Sequence, residues 1–148
     1  MKRVVITGMG INSCIGNSLE EVTNSLQNGI SGTRFNPTYA DMNFKSHVSA
    51  AAEQDFDHID RKLKRFMGVC AMYAYNSALA AVQHAGLQPE DIGGNPRYGI
   101  AGGSGGGSTA SVIEMKELLD TKGARKVGPF FVPRNMSNTI TANVGVAF

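Results

Sequence analysis

The chain is poor in the residues that mark several classes of protein. It contains no tryptophan and only two cysteines in 148 residues. The spacing of Cys14 and Cys70 matches neither a disulfide framework nor a metal site, and this is typical of a reducing compartment. No run of eighteen apolar residues is present, and only three apolar residues separate Lys2-Arg3 from Thr7, too few for a signal peptide. We therefore expect a cytoplasmic protein without a membrane segment.

The net charge does not by itself indicate a class of binding partner. The formal charge is +2, which is too small to indicate nucleic-acid binding from bulk charge. Any electrostatic partner must therefore be inferred from local clusters. The length suits one domain, which at this size buries about two-thirds of the surface that the unfolded chain exposes.

The apolar patterns predict an α/β fold. The β-branched run Val4–Ile6 predicts a strand that is buried on both faces, and Tyr98–Ala101 predicts a second one. Helices are predicted from Ser18 to Gln27, from Asp60 to about Ala85, over 112–119, and over 135 to about 144. Between them we expect an irregular excursion over 30–58 with a short strand near 46–49, a loop from Pro89, and a segment 129–133 that is not helical throughout.

Residues 102–108 form a loop in which five of seven residues are glycine. Glycine loses the most backbone entropy on folding, so such a cluster indicates that a ligand or another part of the protein approaches the backbone closely. The loop lacks the Gly-Lys-Ser/Thr ending of a phosphate loop. The earlier pair Gly8 and Gly10 follows a predicted strand, but the third glycine of a dinucleotide fingerprint would fall at Ser13. A small dinucleotide-binding domain is therefore the least favoured interpretation.

Cysteine and histidine offer few catalytic candidates. Cys14 lies just ahead of a predicted helix start, a position that would suit a nucleophile, but a small buried hydrophobic role is more common for a free cysteine. Cys70 lies on the apolar stripe of the predicted helix and is expected in the core. His47, His58 and His84 share no metal spacing, so structural or surface roles are favoured, and no metal site is expected.

Two basic clusters stand out from the mild net charge. Arg61, Lys62, Lys64 and Arg65 open a predicted helix, where the macrodipole makes cations unfavourable. The second cluster, Lys122, Arg125 and Lys126, follows the 112–119 helix. Together they would suit an acidic partner, although a solvated face is the more common explanation of such clusters.

Four ordered stretches resemble the β-ketoacyl-acyl carrier protein synthases, most closely the type I condensing enzymes of bacterial fatty acid synthesis. They are MKRVVITGMGI at 1–11, IDRKLKRFM at 59–67, NPRYGIAGGSGGGS at 95–108 and VGPF at 127–130. The resemblance implies a thiolase-like fold of layered α-β-α-β-α architecture, a homodimer, and acyl substrates carried on the phosphopantetheine of acyl carrier protein, without a separate cofactor. The implied reaction is a decarboxylative condensation of malonyl-acyl carrier protein with an acyl-enzyme.

The resemblance also assigns roles to particular residues. Lys62 and Arg65 match cations that meet the acidic carrier protein, and Lys122 and Arg125 match a second basic patch. Gly106 matches a glycine beside the acyl-chain pocket and Met136 a residue that lines it, on the side of the dimer partner. Neither Cys14 nor Cys70 matches the nucleophile of the family.

These roles predict that residues 1–148 are the N-terminal portion of a synthase, truncated before the catalytic cysteine and both catalytic histidines, so that no catalytic residue lies in this chain. The apolar end at Phe148 favours the same interpretation. The chain alone is then expected to be inactive in condensation. The alternative is a non-catalytic module for carrier-protein docking or dimerisation.

Overall fold

The computed structural model describes residues 3–148, so the first two residues of the N-terminal motif lie outside it. Helices dominate the described chain, and two short strands form a single antiparallel pair in which Arg34 faces Ser49 and Phe35 faces Val48. The elements in order are α1 Leu19–Gln27, β1 Arg34–Phe35, α2 Pro37–Asp41, β2 Val48–Ser49, α3 Arg61–Lys64, α4 Val69–His84, α5 Pro89–Ile92, α6 Thr109–Lys122, a 3-10 turn Ala124–Lys126, α7 Phe131–Asn135 and α8 Thr139–Ala147.

Helix α1 forms where its capping residues predict it. The Ser18 hydroxyl accepts the Glu21 N–H at 3.1 Å, and this satisfies one donor at the open helix start. The Glu21 carboxylate accepts the N–H of Asn17 at 2.7 Å, one residue before the position of a standard capping box. Gly29 follows the helix with φ of 62°, a conformation that glycine adopts at little cost.

The predictions of buried strands at Val4–Ile6 and Tyr98–Ala101 are wrong. Val4 and Ile6 are 92% and 82% exposed, and Tyr98 and Ile100 are also exposed. A strand needs a neighbour to receive its backbone hydrogen bonds, and residues 3–148 place none beside either segment. Residue 48, by contrast, lies in the short strand expected near 46–49.

The long helix predicted from Asp60 to Ala85 is divided into α3 and α4. Asp60 caps α3 as expected, but the helix ends at Lys64, and Gly68 has an extended backbone with φ of −77° and ψ of 167° before α4 begins. The turn between them buries Met67, which packs with Ile59 and Ala71 in the small apolar core. The apolar spacing continues across this turn, so periodicity alone did not reveal the break.

Smaller corrections concern the second half of the chain. Pro89 begins α5 rather than a loop, because proline is favoured in the first turn of a helix, where its missing N–H costs nothing. Helix α7 begins at Phe131, after Pro129, in agreement with a segment that is not helical throughout. Helix α8 begins at Thr139 rather than at Asn135, and α6 extends the predicted 112–119 helix in both directions.

Helices α4 and α8 pack together, and a polar contact joins α8 to the turn that precedes α4. The Asn143 amide donates to the carbonyl of Thr139 at 2.8 Å and to that of Phe66 at 3.4 Å. Thr139 and Asn143 are both buried. Buried polar groups are costly unless they are hydrogen-bonded, so these contacts make the junction of α8 with the 66–68 turn specific.

The N-terminal segment lies directly on α4. A β-carbon on Gly8 would overlap the carbonyl oxygen of Ala81, and one on Gly10 would overlap that of Ser77. Asn12 continues the contact, because its amide donates to the carbonyl of Tyr73 at 2.8 Å and to the Ser77 hydroxyl at 2.5 Å. The two early glycines therefore serve close packing against a helix, which agrees with the structural interpretation of this motif.

None of the helices within residues 3–148 combines the length and apolar character that crossing a membrane requires.

We expect Gly10→Ala to destabilise the protein by roughly 1–3 kcal/mol, because the added methyl group must displace the backbone of α4. Gly99→Ala is the control, since the structure places nothing within 4 Å of its added β-carbon. Its effect should stay within about 0.5 kcal/mol. Urea unfolding followed by circular dichroism measures both, and equal stability of the two variants would contradict the close contact.

Candidate functional site

The first basic cluster surrounds the short helix α3. The Asp60 carboxylate accepts the N–H groups of Lys62 at 2.8 Å and Leu63 at 3.3 Å, so an acidic cap compensates the cations that follow it. Lys64 turns inward, where its ammonium donates to the carbonyl of Phe56 at 3.0 Å and pairs with Asp57 at 3.3 Å. Lys62 remains exposed and available to a partner.

The second cluster lies at the end of α6. Lys122 is the last residue of that helix, where a cation is favoured by the macrodipole. Gly123 then turns the chain with φ of 77°, and the 3-10 turn carries Arg125 and Lys126. All three cations are exposed.

Segment 129–135 follows the second cluster in the sequence and contacts Arg65 of the first. The guanidinium of Arg65 lies over the ring of Phe130, 4.4 Å from its centroid. Arg134 donates from Nε to the carbonyl of Arg65 at 3.0 Å. Segment 129–135 begins three residues after Lys126, so these contacts join Arg65 to the part of the chain that follows the second cluster. We call Lys62, Arg65, Lys122 and Arg125 the basic surface.

The glycine loop is approached by protein at one end and is open in the middle. A β-carbon on Gly107 would overlap the carbonyl group of Asn135 at the end of α7. Ser108 is buried, caps α6 through its hydroxyl, and donates its N–H to the Arg134 carbonyl at 3.4 Å. A β-carbon on Gly106, by contrast, would meet nothing within 4 Å. The close backbone approach that the sequence predicts is therefore present, and Gly107 is the residue that requires it.

The two residues assigned to an acyl pocket lie at this same junction. Met136 follows Asn135, which contacts Gly107, and Met136 is 46% exposed.

An open groove of about 730 Å³ lies between α4, α8 and the 92–101 segment, and neither Gly106 nor Met136 lines it. That groove is bordered by small and apolar residues, among them Ala78, Ala81, Ile100 and Val144. The sequence alone does not reveal this groove, because the groove depends on how α4 and α8 pack.

Cysteine and histidine do not form a catalytic constellation in the described chain. Cys14 is exposed, which corrects the expectation of a small buried hydrophobic residue, and it borders a polar cleft of about 250 Å³. Gly32 packs on the Cys14 backbone and leaves its side chain at the surface. Cys70 is half-buried on α4. Within residues 3–148 no three acidic, histidine or cysteine side chains are grouped as a metal site would require.

The histidines instead have structural partners. His84 accepts the N–H of Met9 at 3.0 Å and so ties the N-terminal segment to the end of α4. His58 lies 2.9 Å from the amide oxygen of Asn76, and His47 meets Phe35 edge to face. These contacts agree with the structural and surface roles expected from the sequence.

Comparison with known proteins assigns the chain to a family. The model for the N-terminal domain of β-ketoacyl synthases matches residues 1–148. The chain belongs to the β-ketoacyl synthase family. It is 41% identical over its whole length to 3-oxoacyl-(acyl-carrier-protein) synthase 1 of Escherichia coli K12, and it is equally identical over 96% of its length to the protein of that name in Haemophilus influenzae. It spans 37% and 35% of these two relatives.

Solved structures confirm the fold. A β-ketoacyl synthase from Burkholderia phymatum superposes with a TM-score of 0.81 at 29% identity, and the match covers 99% of the present chain and 36% of the Burkholderia chain. A ketosynthase in complex with a type II PKS acyl-carrier protein superposes with a TM-score of 0.71 at 19% identity, covering 99% and 39%. The chain therefore has the thiolase-like fold of the N-terminal part of ketosynthases, as the sequence predicts.

We expect Gly107→Ala to lower the free energy of unfolding by roughly 1–3 kcal/mol, because the methyl group would push the loop away from α7. Gly106→Ala adds the same methyl group one residue earlier, where it would meet nothing within 4 Å. This control variant should lower the free energy of unfolding by less than about 0.5 kcal/mol. Paired denaturant titrations measure the difference. Similar losses in both variants would show that the loop is not held against Asn135.

Proposed function

We propose that residues 1–148 are the N-terminal portion of a β-ketoacyl-acyl carrier protein synthase of fatty acid biosynthesis. The whole protein would be an acyltransferase that condenses malonyl-acyl carrier protein with an acyl-enzyme and releases carbon dioxide. The observation that carries this proposal is the 41% identity to 3-oxoacyl-(acyl-carrier-protein) synthase 1 along the entire chain. The family model, which describes an N-terminal domain, supports it.

Within that protein, this chain would bind the carrier protein through the basic surface. Lys62, Lys122 and Arg125 are exposed, and the structure gives them no acidic partner within residues 3–148. Lys64 and Arg134 are excluded from this role because they already pair with Asp57 and Glu114. Surface cations without internal partners suit an acidic protein, since complementary charge speeds and orients association.

The glycine loop would carry the second part of the function. Gly106 is open while Gly107 is held against α7, so the backbone of the loop is fixed at one end and accessible at the other. An acyl chain delivered on phosphopantetheine would pass beside Gly106 and Met136, and the partner subunit of a homodimer would lie on the same side. The substrate brings its own prosthetic arm, so the chain is proposed to need no other cofactor.

The nucleophile and its two histidine partners would lie outside residues 1–148. Nucleophilic catalysis on a thioester requires an activated thiol with a base or an electrophilic partner near it. Cys14 lies at the surface, and in the described chain the three histidines contact Met9, Asn76 and Phe35. This arrangement favours a binding and positioning role for the chain, with cytoplasmic location expected from its family.

The alternative is a docking or dimerisation module without catalysis. The same basic surface supports it, and so does the lack of a catalytic constellation in residues 3–148. The two candidates differ in what the protein does at its natural length, where only the synthase should form an acyl-enzyme.

We expect residues 1–148 alone to form no covalent acyl-enzyme with acyl-acyl carrier protein, because a reactive thiol with its partners is missing. The protein that carries this chain, at its natural length, should gain the mass of one acyl group and then release β-ketoacyl product when malonyl-acyl carrier protein is added. Intact mass spectrometry and a condensation assay measure both steps. Acylation of residues 1–148 at Cys14 would contradict the assignment, and a natural-length protein that binds but never acylates would favour the docking module.

We expect the double variant Lys62→Glu/Arg65→Glu to weaken carrier-protein binding about ten-fold or more, since two attractions of about 0.2–1 kcal/mol each become repulsions. Affinity should also fall as salt rises through the range that screens surface charge. The control is Lys45→Glu/Arg97→Glu, which makes the same change in net charge at two exposed residues outside the basic surface. Isothermal titration in two salt concentrations measures the effect, and equal losses in both double variants would leave only bulk charge as the cause.

A further inference from the structure

We propose that Phe130 and Arg134 are positioning residues for carrier-protein docking and that they act by holding Arg65. This inference rests on the proposed function, because it concerns the same basic surface. The residues assigned to docking by the family resemblance are exposed cations, whereas Phe130 and Arg134 are partly buried. Each contacts a different part of Arg65.

Phe130 holds the side chain of Arg65. The guanidinium carbon lies 4.4 Å from the centre of the ring, within the range in which a cation is attracted to an aromatic face. The ring is itself fixed, because Phe66 packs edge to face against it with centroids 5.0 Å apart. Arg65 stays exposed, so the contact restricts its side chain without removing its charge from solvent.

Arg134 holds the backbone of Arg65. Arg65 closes α3, and the last carbonyl groups of a helix have no partner within the helix. The Nε–H of Arg134 supplies one at 3.0 Å. A helix of four residues has little cooperativity of its own, so this external hydrogen bond fixes the direction in which α3 ends.

Arg134 is anchored on its other side as well. Its Nη1 atom lies 3.4 Å from the Glu114 carboxylate on α6, and its guanidinium lies 5.4 Å from the centre of the Phe131 ring. The Arg134 side chain is only 22% exposed, which sets it apart from the docking cations at the surface. Its carbonyl accepts the N–H of Ser108, the residue that ends the glycine loop.

These contacts prepare Arg65 for a partner before binding. A free arginine side chain has many rotamers, and their loss on association weakens affinity by a few-fold per side chain. A side chain that is already held loses less. Arg134 also joins Arg65 to the end of the glycine loop, because its Nε–H binds the Arg65 carbonyl and its own carbonyl binds the Ser108 N–H. These two hydrogen bonds fix the position of the end of α3 relative to the start of α6.

A double-mutant cycle with a carrier protein tests the proposal on the protein at its natural length. Phe130→Leu removes the ring face but keeps an apolar side chain, and it should raise Kd about two- to five-fold. In an Arg65→Gln background the same change should raise Kd by less than about 1.5-fold, since no guanidinium remains to be held. In a Lys62→Gln background it should keep its full effect, because in the described chain the cation over the Phe130 ring is Arg65 and not Lys62. Arg134→Gln should also raise Kd, but part of its effect should persist in the Arg65→Gln background, because residue 65 keeps the backbone carbonyl that Arg134 holds.

Two further measurements separate positioning from general destabilisation. Phe130→Tyr keeps the ring face and should restore the wild-type Kd, and thermal unfolding should show each variant folded at the titration temperature. Equal effects of Phe130→Leu in all three backgrounds, or no effect in any, would overturn the inference while docking itself stands. If Lys62→Gln and Arg65→Gln both leave Kd unchanged, the proposed docking surface fails instead, and the positioning role fails with it.

Discussion

The close backbone approach at Gly68 is the constraint on which the arrangement of the candidate regions depends. A β-carbon there would lie 2.8 Å from the carbonyl oxygen of Arg134 and 2.8 Å from the β-carbon of Ser108. Contacts this short do not occur between real side chains and backbone, so only glycine allows them. Three elements therefore meet at one residue: the turn between α3 and α4, the end of α7, and the start of α6. The basic surface and the glycine loop rest on the same junction.

The cations on and beside α3 differ in whether the described chain gives them a stabilising contact. A cation near a helix start is unfavourable, and the Asp60 cap and the Asp57 partner of Lys64 offset part of that cost. Arg65 is stabilised by the face of Phe130. Lys62 gains no such contact within the described chain, so the fold does not explain its charge. An acidic carrier protein, as proposed above, would give Lys62 the partner that the described chain does not.

Local chemistry was predictable from the sequence wherever a residue acts on its immediate neighbours. Ser18 and Asp60 each cap the helix that their side-chain type and position indicated, because a hydroxyl or carboxylate at a helix start reaches an N–H two or three residues later. The glycine loop was also predictable as a place of close approach, since its entropy cost needs compensation. The family resemblance then supplied the fold, which the structural neighbours confirm.

The features that the sequence did not predict depend on contacts between residues that are distant in the sequence. The strand predictions at 4–6 and 98–101 failed because a strand exists only beside a partner, and periodicity does not say whether one is there. The break at Gly68 was hidden because the apolar spacing runs through it, and its cause is a carbonyl 66 residues away. The contact of Arg134 with Arg65 spans 69 residues. The family motif therefore predicts which cations would meet a partner, whereas tertiary packing decides how firmly those cations are held.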